Sequence, residues 1–263
     1  MLLSLPHLAF DAQDPETAPP LLIAHGLFGQ GRNFQSIAKR LATNRRVISV
    51  DMRNHGTAPW SDLMDYPSMA GDLAESIRTN AGGPAMLLGH SMGGKAAMAL
   101  ALAEPELLCG LIVADIAPIG YGHSHIGYVA AMQAVDVAGV ARRSDVDRQL
   151  AETVPDRNLR AFLLQSLSIQ DGSARWRLNL AALSAEMPNL VGFPDRFPYP
   201  AYDGPTLFLR GGKSDYVPPD SEAKIRRLFP AAEIQTLEGA GHWLHAEQPE
   251  AFTGALAAWL DRL

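Results

Sequence analysis

The sequence predicts an α/β fold built on a mostly parallel sheet, and three observations carry that prediction. Short apolar runs recur along the 263-residue chain, each is continuous rather than alternating, and segments with apolar residues three and four apart separate them. Continuous apolarity marks strands buried on both faces. Strands separated by helices pair in parallel, because each crossover returns the chain to the same end of the sheet.

The runs are LLIAH (21–25), RVISVD (46–51), AMLLG (85–89), GLIVAD (110–115), TLFLR (206–210) and EIQTLEG (233–239). Helical spacing predicts helices over 33–42, 69–79, 92–103, 221–228 and 249–263, one after each run except the fourth. Pro15, Pro19 and Pro20 mark a loop before the first run. After Asp115 the alternation stops until Thr206. The stretch between is denser in charge, and RRSDVDRQLAETV, DRNLRAFLLQSL and WRLNLAALSAEM each carry apolar residues at helical spacing. We therefore expect 117–204 to form three or four helices capping the sheet, with an irregular Pro- and Gly-rich return, NLVGFPDRFPYPAYDGP, at its end.

Composition narrows the function. With 47% hydrophobic residues there is material for one sizeable core. The 22 Lys+Arg against 28 Asp+Glu leave a net charge of −6, so no basic field exists to neutralise phosphates and nucleic-acid binding is not expected. Cys109 is the single cysteine, read as a buried, reduced thiol that favours a reducing compartment. MLLSLPHLAFDAQDP lacks the features of a signal peptide, and no stretch reaches the roughly 20 apolar residues of a membrane span. The expectation is a soluble, cytoplasmic protein without membrane partners.

The chemistry concentrates at AMLLGHSMGGKAAMALALA, where a strand meets a helix through Gly89-His90-Ser91-Met92-Gly93. This is the G-x-S-x-G pattern of a nucleophile on a tight turn. A serine there projects its oxygen toward the amides that open the next helix, and the glycines allow close backbone approach. The same residues also read as G-x-x-x-x-G-K ending at Lys95, a phosphate loop, with the run ending at Asp115 as its acidic strand. Against that reading, Ala96 stands where such loops place a magnesium-binding hydroxyl, and three further segments would stay idle.

His25-Gly26-Leu27-Phe28-Gly29 ends the first long run, and Leu27 N–H with Met92 N–H would form an oxyanion hole. Gly239-Ala240-Gly241-His242-Trp243 follows the last run, so His242 would reach the serine as general base. The third segment supplies the acid that orients the imidazole. Asp115 and Asp215 both preserve the chain order Ser, Asp, His, and both stay open on the residues alone.

Taken in order over 25–247, HGLFG, DMRNHG, GHSMGGK, VADIAP, GGKSDYV and GAGHWLHAE resemble the α/β-hydrolase fold family, and within it the small bacterial esterases typified by the YbfF esterase. The resemblance implies a hydrolase core of 1–116 and 205–263 carrying the 117–204 cap. Most of the family has its acid in a G-x-x-D-x-x-V pattern, but Gly211-Gly212-Lys213-Ser214-Asp215-Tyr216-Val217 puts Ser214 in that slot and Asp215 one residue late. The esterase subgroup shares the serine and takes its acid from the D-I-A-P segment. That implies Asp115, with Ser214 as a further hydrogen-bond partner of His242. The implied reaction is hydrolysis of a small, short-chain acyl ester or thioester through an acyl-enzyme, without cofactor or metal. Phe28 and Trp243, with Ile119 and Tyr121, are expected to line the acyl pocket.

A ligand-binding protein on the same scaffold and a nucleotide hydrolase are the alternatives, and the oligomeric state is left open. The remaining polar residues read as structure. Residues 51–56 would brace a loop, Lys95 would be solvated or paired, and His245 and Glu247 would polarise a helix start. His123 and His125 lack a third ligand at recognisable spacing. The Met and Ala of 92–103 would be core packing.

Overall fold

All six continuous apolar runs form strands of one seven-stranded sheet. The computed structural model describes residues 2–12, 18–170, 172–194 and 200–263. The loop marked by Pro15, and 195–199 within the Pro-rich return, lie outside the described residues.

In chain order the elements are β1 (His7–Phe10), β2 (Leu21–Ala24), α1 (Gln35–Leu41), β3 (Val47–Val50), α2 (Tyr66–Asn80), β4 (Ala85–His90), α3 (Met92–Ala103) and β5 (Leu108–Ala114). There follow α4 (Ile126–Ala134), α5 (Arg143–Leu150), α6 (Arg157–Leu163), β6 (Leu167–Gln170), β7 (Ser173–Trp176), α7 (Leu180–Ala185) and α8 (Met187–Val191). The chain closes with β8 (Thr206–Gly211), α9 (Glu222–Leu228), β9 (Ala232–Leu237), α10 (Leu244–Glu247) and α11 (Pro249–Leu260). The sheet order is β1-β3-β2-β4-β5-β8-β9, parallel throughout except for β1, which runs antiparallel to β3.

Every residue of β2, β3 and β4 is buried, as continuous apolarity requires of central strands. One face packs against α1 and α11 through Ile37, Phe252 and Trp259, with Phe34 just before α1. The other packs against α2 and α3 through Leu73, Met98 and Leu100, and continues into the segment between β5 and β8. The alanines of α3 bring it close to the sheet. Asp65 caps α2, accepting the N–H of Ser68 at 2.7 Å.

Three elements depart from expectation. β9, expected to be buried on both faces, is an edge strand with only Ala232 buried. β1, HLAF, is a short edge strand with little burial, and three apolar residues are too few to mark a strand. The segment after β5 is not purely helical: DRNLRAFLLQSL turns from α6 into β6, which pairs antiparallel with β7, and WRLNLAALSAEM begins in β7 before α7 and α8. Cys109 is half-buried rather than buried. Among the described residues, no helix is long and apolar enough to cross a membrane.

Residues 51–56 do brace loops. The guanidinium of Arg53 and the carboxylate of Asp72 are fully buried and joined by two hydrogen bonds of 2.7 and 2.9 Å, while Arg53 also donates to the carbonyls of Leu63 and Ser68. Asp51 accepts from the N–H of Gly31 and of Thr57.

Candidate active site

The carboxyl ends of β2, β4, β5, β8 and β9 converge on one point, the usual place for a site in an open α/β sheet. Between β4 and α3 the chain turns within a single residue, and Ser91 adopts φ 52°, ψ −118°. The glycines make that turn possible: a Cβ on Gly89 would overlap the carbonyl oxygen of Gly93, and one on Gly93 would lie 2.5 Å from that of Ala24. Among the described residues other than glycine, positive φ occurs at Phe28, Asn54, Ser91 and Asp115, three of them singled out from sequence for this site. Such conformations cost about 1–3 kcal/mol each and persist where the surroundings enforce them.

Ser91, His242 and Asp115 form a continuous hydrogen-bonded line. His242 Nε2 lies 3.0 Å from Ser91 Oγ, and Nδ1 lies 2.7 Å from Asp115 Oδ2. A carboxylate only accepts, so Nδ1 carries the proton and the Nε2 lone pair faces the serine hydroxyl. The Asp115 side chain is fully buried; its Oδ1 accepts the N–H of Gly211 at 2.8 Å, and its Oδ2 also accepts the hydroxyl of Ser214. Ser214 thus bonds the carboxylate rather than the imidazole. Asp215, the competing acid, is exposed.

Leu27 follows β2, and Met92 is the first residue of α3, so the Met92 N–H has no carbonyl four residues earlier within its helix. Two buried histidines shape the Leu27 turn. His25 Nδ1 donates to the carbonyl of Gly26 at 2.8 Å, leaving Nε2 to accept the N–H of Met52 at 2.9 Å. His55 Nδ1 donates to the carbonyl of Arg53, and its Nε2 accepts the N–H of Phe28 at 3.1 Å. Burial holds both imidazoles neutral, with His25 lowered and His55 pushed down to about 3.

Several groups that sequence reasoning missed act on the His242 loop. His90 Nε2 donates to the carbonyl of His242 at 2.9 Å. Glu247, read from sequence as helix-start polarity, accepts the N–H of Gly241 at 2.7 Å and of Trp243 at 3.2 Å, bracketing His242. The Tyr216 ring stacks on the imidazole. His245 stacks on Phe34 and is pushed down to about 3, by burial first and by His242 second. Each of these partners stands within GHSMGGK, GGKSDYV or GAGHWLHAE, but its contact with the His242 loop is made across the fold and is not legible in the motif.

Lys95 is buried rather than solvated. Its Nζ donates to the carbonyls of Val191 and Gly192 at 3.0 and 2.6 Å and lies 4.5 Å from the centre of the Tyr121 ring. It ties α3 to the end of α8. His123 and His125 both meet the Tyr216 hydroxyl, at 3.1 and 3.3 Å. Among the described residues, no group of three or more His, Cys, Asp or Glu side chains gathers to hold a metal.

Two cavities border Ser91. One of about 210 Å³ is lined by Phe28 and Trp243 together with His242, and one of about 30 Å³ by Met92 and Tyr121. Phe28 and Trp243 therefore face a different cavity from Tyr121, and Ile119 lines neither, so the four do not share one pocket.

Residues 21–255 match the Alpha/beta hydrolase family. The sn-1-specific diacylglycerol lipase ABHD11 of Mus musculus is 43% identical over 252 residues, spanning 93% of this chain and 81% of its own length. Esterase YbfF of Escherichia coli (strain K12) is 36% identical over 251 residues, 95% of this chain and 96% of its own. Among solved structures, a marine microorganism esterase superposes with a TM-score of 0.91 at 36% identity, covering 98% of this chain and 99% of that one.

Proposed function

Since the chain belongs to the alpha/beta hydrolase family, we propose that it is a serine carboxylesterase, cleaving small acyl esters or thioesters through an acyl-enzyme on Ser91. Its relatives named esterase and lipase support ester hydrolysis as the reaction class. The single observation that carries the finer reading is the hydrogen-bonded line from Ser91 through His242 to buried Asp115.

In this reading His242 Nε2 takes the hydroxyl proton as Ser91 Oγ attacks the acyl carbonyl carbon. The N–H groups of Leu27 and Met92 hold the resulting oxyanion. The Nε2 proton then passes to the leaving oxygen or sulfur as its bond to carbon breaks, and the alcohol or thiol departs. Water repeats the sequence and frees the acid. Asp115 holds the imidazole in the tautomer this exchange needs and balances its transient charge. Residues 117–204 serve as the cap, with Leu159 and Phe162 of α6 over the larger cavity and Met187 and Leu190 of α8 beside the smaller. The reading requires neither cofactor nor metal.

Hydrolysis of p-nitrophenyl esters from acetate to palmitate, by wild type and Ser91→Ala in buffer with a metal chelator, tests it. Serine-dependent turnover that declines with acyl length is expected. Turnover surviving Ser91→Ala, or abolished by the chelator, contradicts the mechanism.

A further inference from the structure

The two cavities that meet at Ser91 stand in different relations to His242. The cavity of about 210 Å³ includes the imidazole, with Phe28, Phe34, Phe162 and Trp243 among its walls. The cavity of about 30 Å³ lies between Met92, Ile116, Tyr121, Met187 and Leu190 and does not touch His242. Both reach Leu27 and Ser91, the positions of the attacking oxygen and one oxyanion donor. The two substituents of an acyl carbonyl held there must therefore diverge, one into each space.

Proton transfer decides which goes where. The leaving oxygen receives its proton from His242 Nε2 and must lie within hydrogen-bond reach of it when the ester bond breaks. The alcohol side therefore occupies the cavity that contains His242, and the acyl chain the one that does not. Size then sets the limits. A cavity needs roughly 10–15 Å³ for one water, and roughly 150 Å³ of apolar space holds a benzene ring. The acyl side has room for a chain of two or three carbons, and the alcohol side for a six-carbon chain or a ring.

The surroundings reinforce the difference. Lys95 anchors the carbonyls of Val191 and Gly192, and the Tyr66 hydroxyl donates to the carbonyl of Leu190 at 2.6 Å, so the α8 wall of the small cavity is tied down. The large cavity leads outward: Asn33, Phe162, Trp243 and His245 line both it and an adjoining groove of about 650 Å³. Building on the esterase reading above, we propose that the preferred substrates are esters of two- or three-carbon acids with bulky, mainly apolar alcohols.

Hexyl acetate and ethyl hexanoate test the assignment, because they are isomers of equal size with primary alkoxide leaving groups, differing in which side of the ester carries the chain. The expected result is a kcat/KM for hexyl acetate at least about tenfold above that for ethyl hexanoate. Met187→Ala, which widens the small cavity, should bring the ratio toward one by accelerating ethyl hexanoate. Leu159→Trp, which fills the large cavity, should do so by slowing hexyl acetate. Equal rates or a preference for ethyl hexanoate in the wild-type enzyme overturn the assignment while leaving the esterase reading in place. Absence of Ser91-dependent turnover of both isomers and of p-nitrophenyl acetate removes both.

Discussion

The ring of Tyr216 lies on the imidazole of His242, with centroids 3.8 Å apart and planes 19° from parallel. The loop after β8 thus holds the proposed catalytic pair twice, through the Ser214 hydroxyl on Asp115 and through this ring on the face of His242. His123 and His125 fix the phenol at its far end. An aromatic pair contributes about 0.5–1.5 kcal/mol beyond its area burial, which at the upper end is about tenfold in rate. Tyr216→Phe, which keeps the stack, should retain kcat on p-nitrophenyl acetate within about threefold, whereas Tyr216→Leu should lose about tenfold in steady-state assays.

The carboxylates give a ranked series. Asp115→Asn should lower kcat by roughly 10³–10⁴, because an amide in contact with Nδ1 no longer enforces the tautomer that presents a lone pair to Ser91. Asp215→Asn should stay within about twofold, since that side chain is exposed. Ser214→Ala removes one of the donors to Asp115 and should fall between, at roughly tenfold. Kinetics of the three variants on one ester check the order, and a larger loss for Asp215→Asn than for Asp115→Asn reverses the assignment.

Lys95→Met should destabilise the fold without abolishing Ser91-dependent hydrolysis. It leaves the half-buried carbonyls of Val191 and Gly192 without their donor, at about 1 kcal/mol each. Burial, reinforced by Lys224, pushes the Lys95 ammonium from its ordinary 10.5 down to about 7. Between those values the unfolded chain holds a proton that the folded chain has released, so this residue makes stability rise with pH over that interval. Urea midpoints at pH 7, 8 and 9 should show the rise in wild type and a flatter profile in Lys95→Met.

The buried histidines predict acid sensitivity. His55 and His245 are each pushed down to about 3, mainly by burial, and His25 and His90 are lowered for the same reason. As pH falls from their ordinary 6.5 toward 3, the unfolded chain takes up protons that the folded chain refuses, and stability is lost. His245→Phe keeps a ring to stack on Phe34 and removes the buried, unpartnered Nδ1, so it should shallow the decline in urea midpoint between pH 7 and 5.

Local rules made much of this molecule readable in advance. β2 to β5 and β8 follow from apolar runs that the fold buries almost throughout, whereas β9 is an edge strand with one buried residue; the Ser91 turn follows from glycines at 89 and 93 that admit no Cβ. β1 was not readable, because four residues at an exposed sheet edge are too few for a pattern. The β6–β7 pair was hidden in segments whose apolar spacing also suits a helix; its strands are defined by pairing with each other. His90 and Glu247 were legible as members of motifs, but not in their role, since what distinguishes them is contact with the His242 loop.

The sequence by itself determined the order of six sheet strands and the helices between them, and that a serine, a histidine and two competing carboxylates stand on strand-end loops, because periodicity and turn chemistry act over a few residues. Which carboxylate meets His242 was decided by the tertiary structure. Asp115 is 99 residues from Ser214 and 127 from His242, and the three meet only because β5 pairs with β8, and β8 with β9. The unequal spaces on the two sides of Ser91 have the same origin. They are what remains after α6 and α8 pack over the sheet, a difference of side-chain volumes brought together from distant parts of the chain.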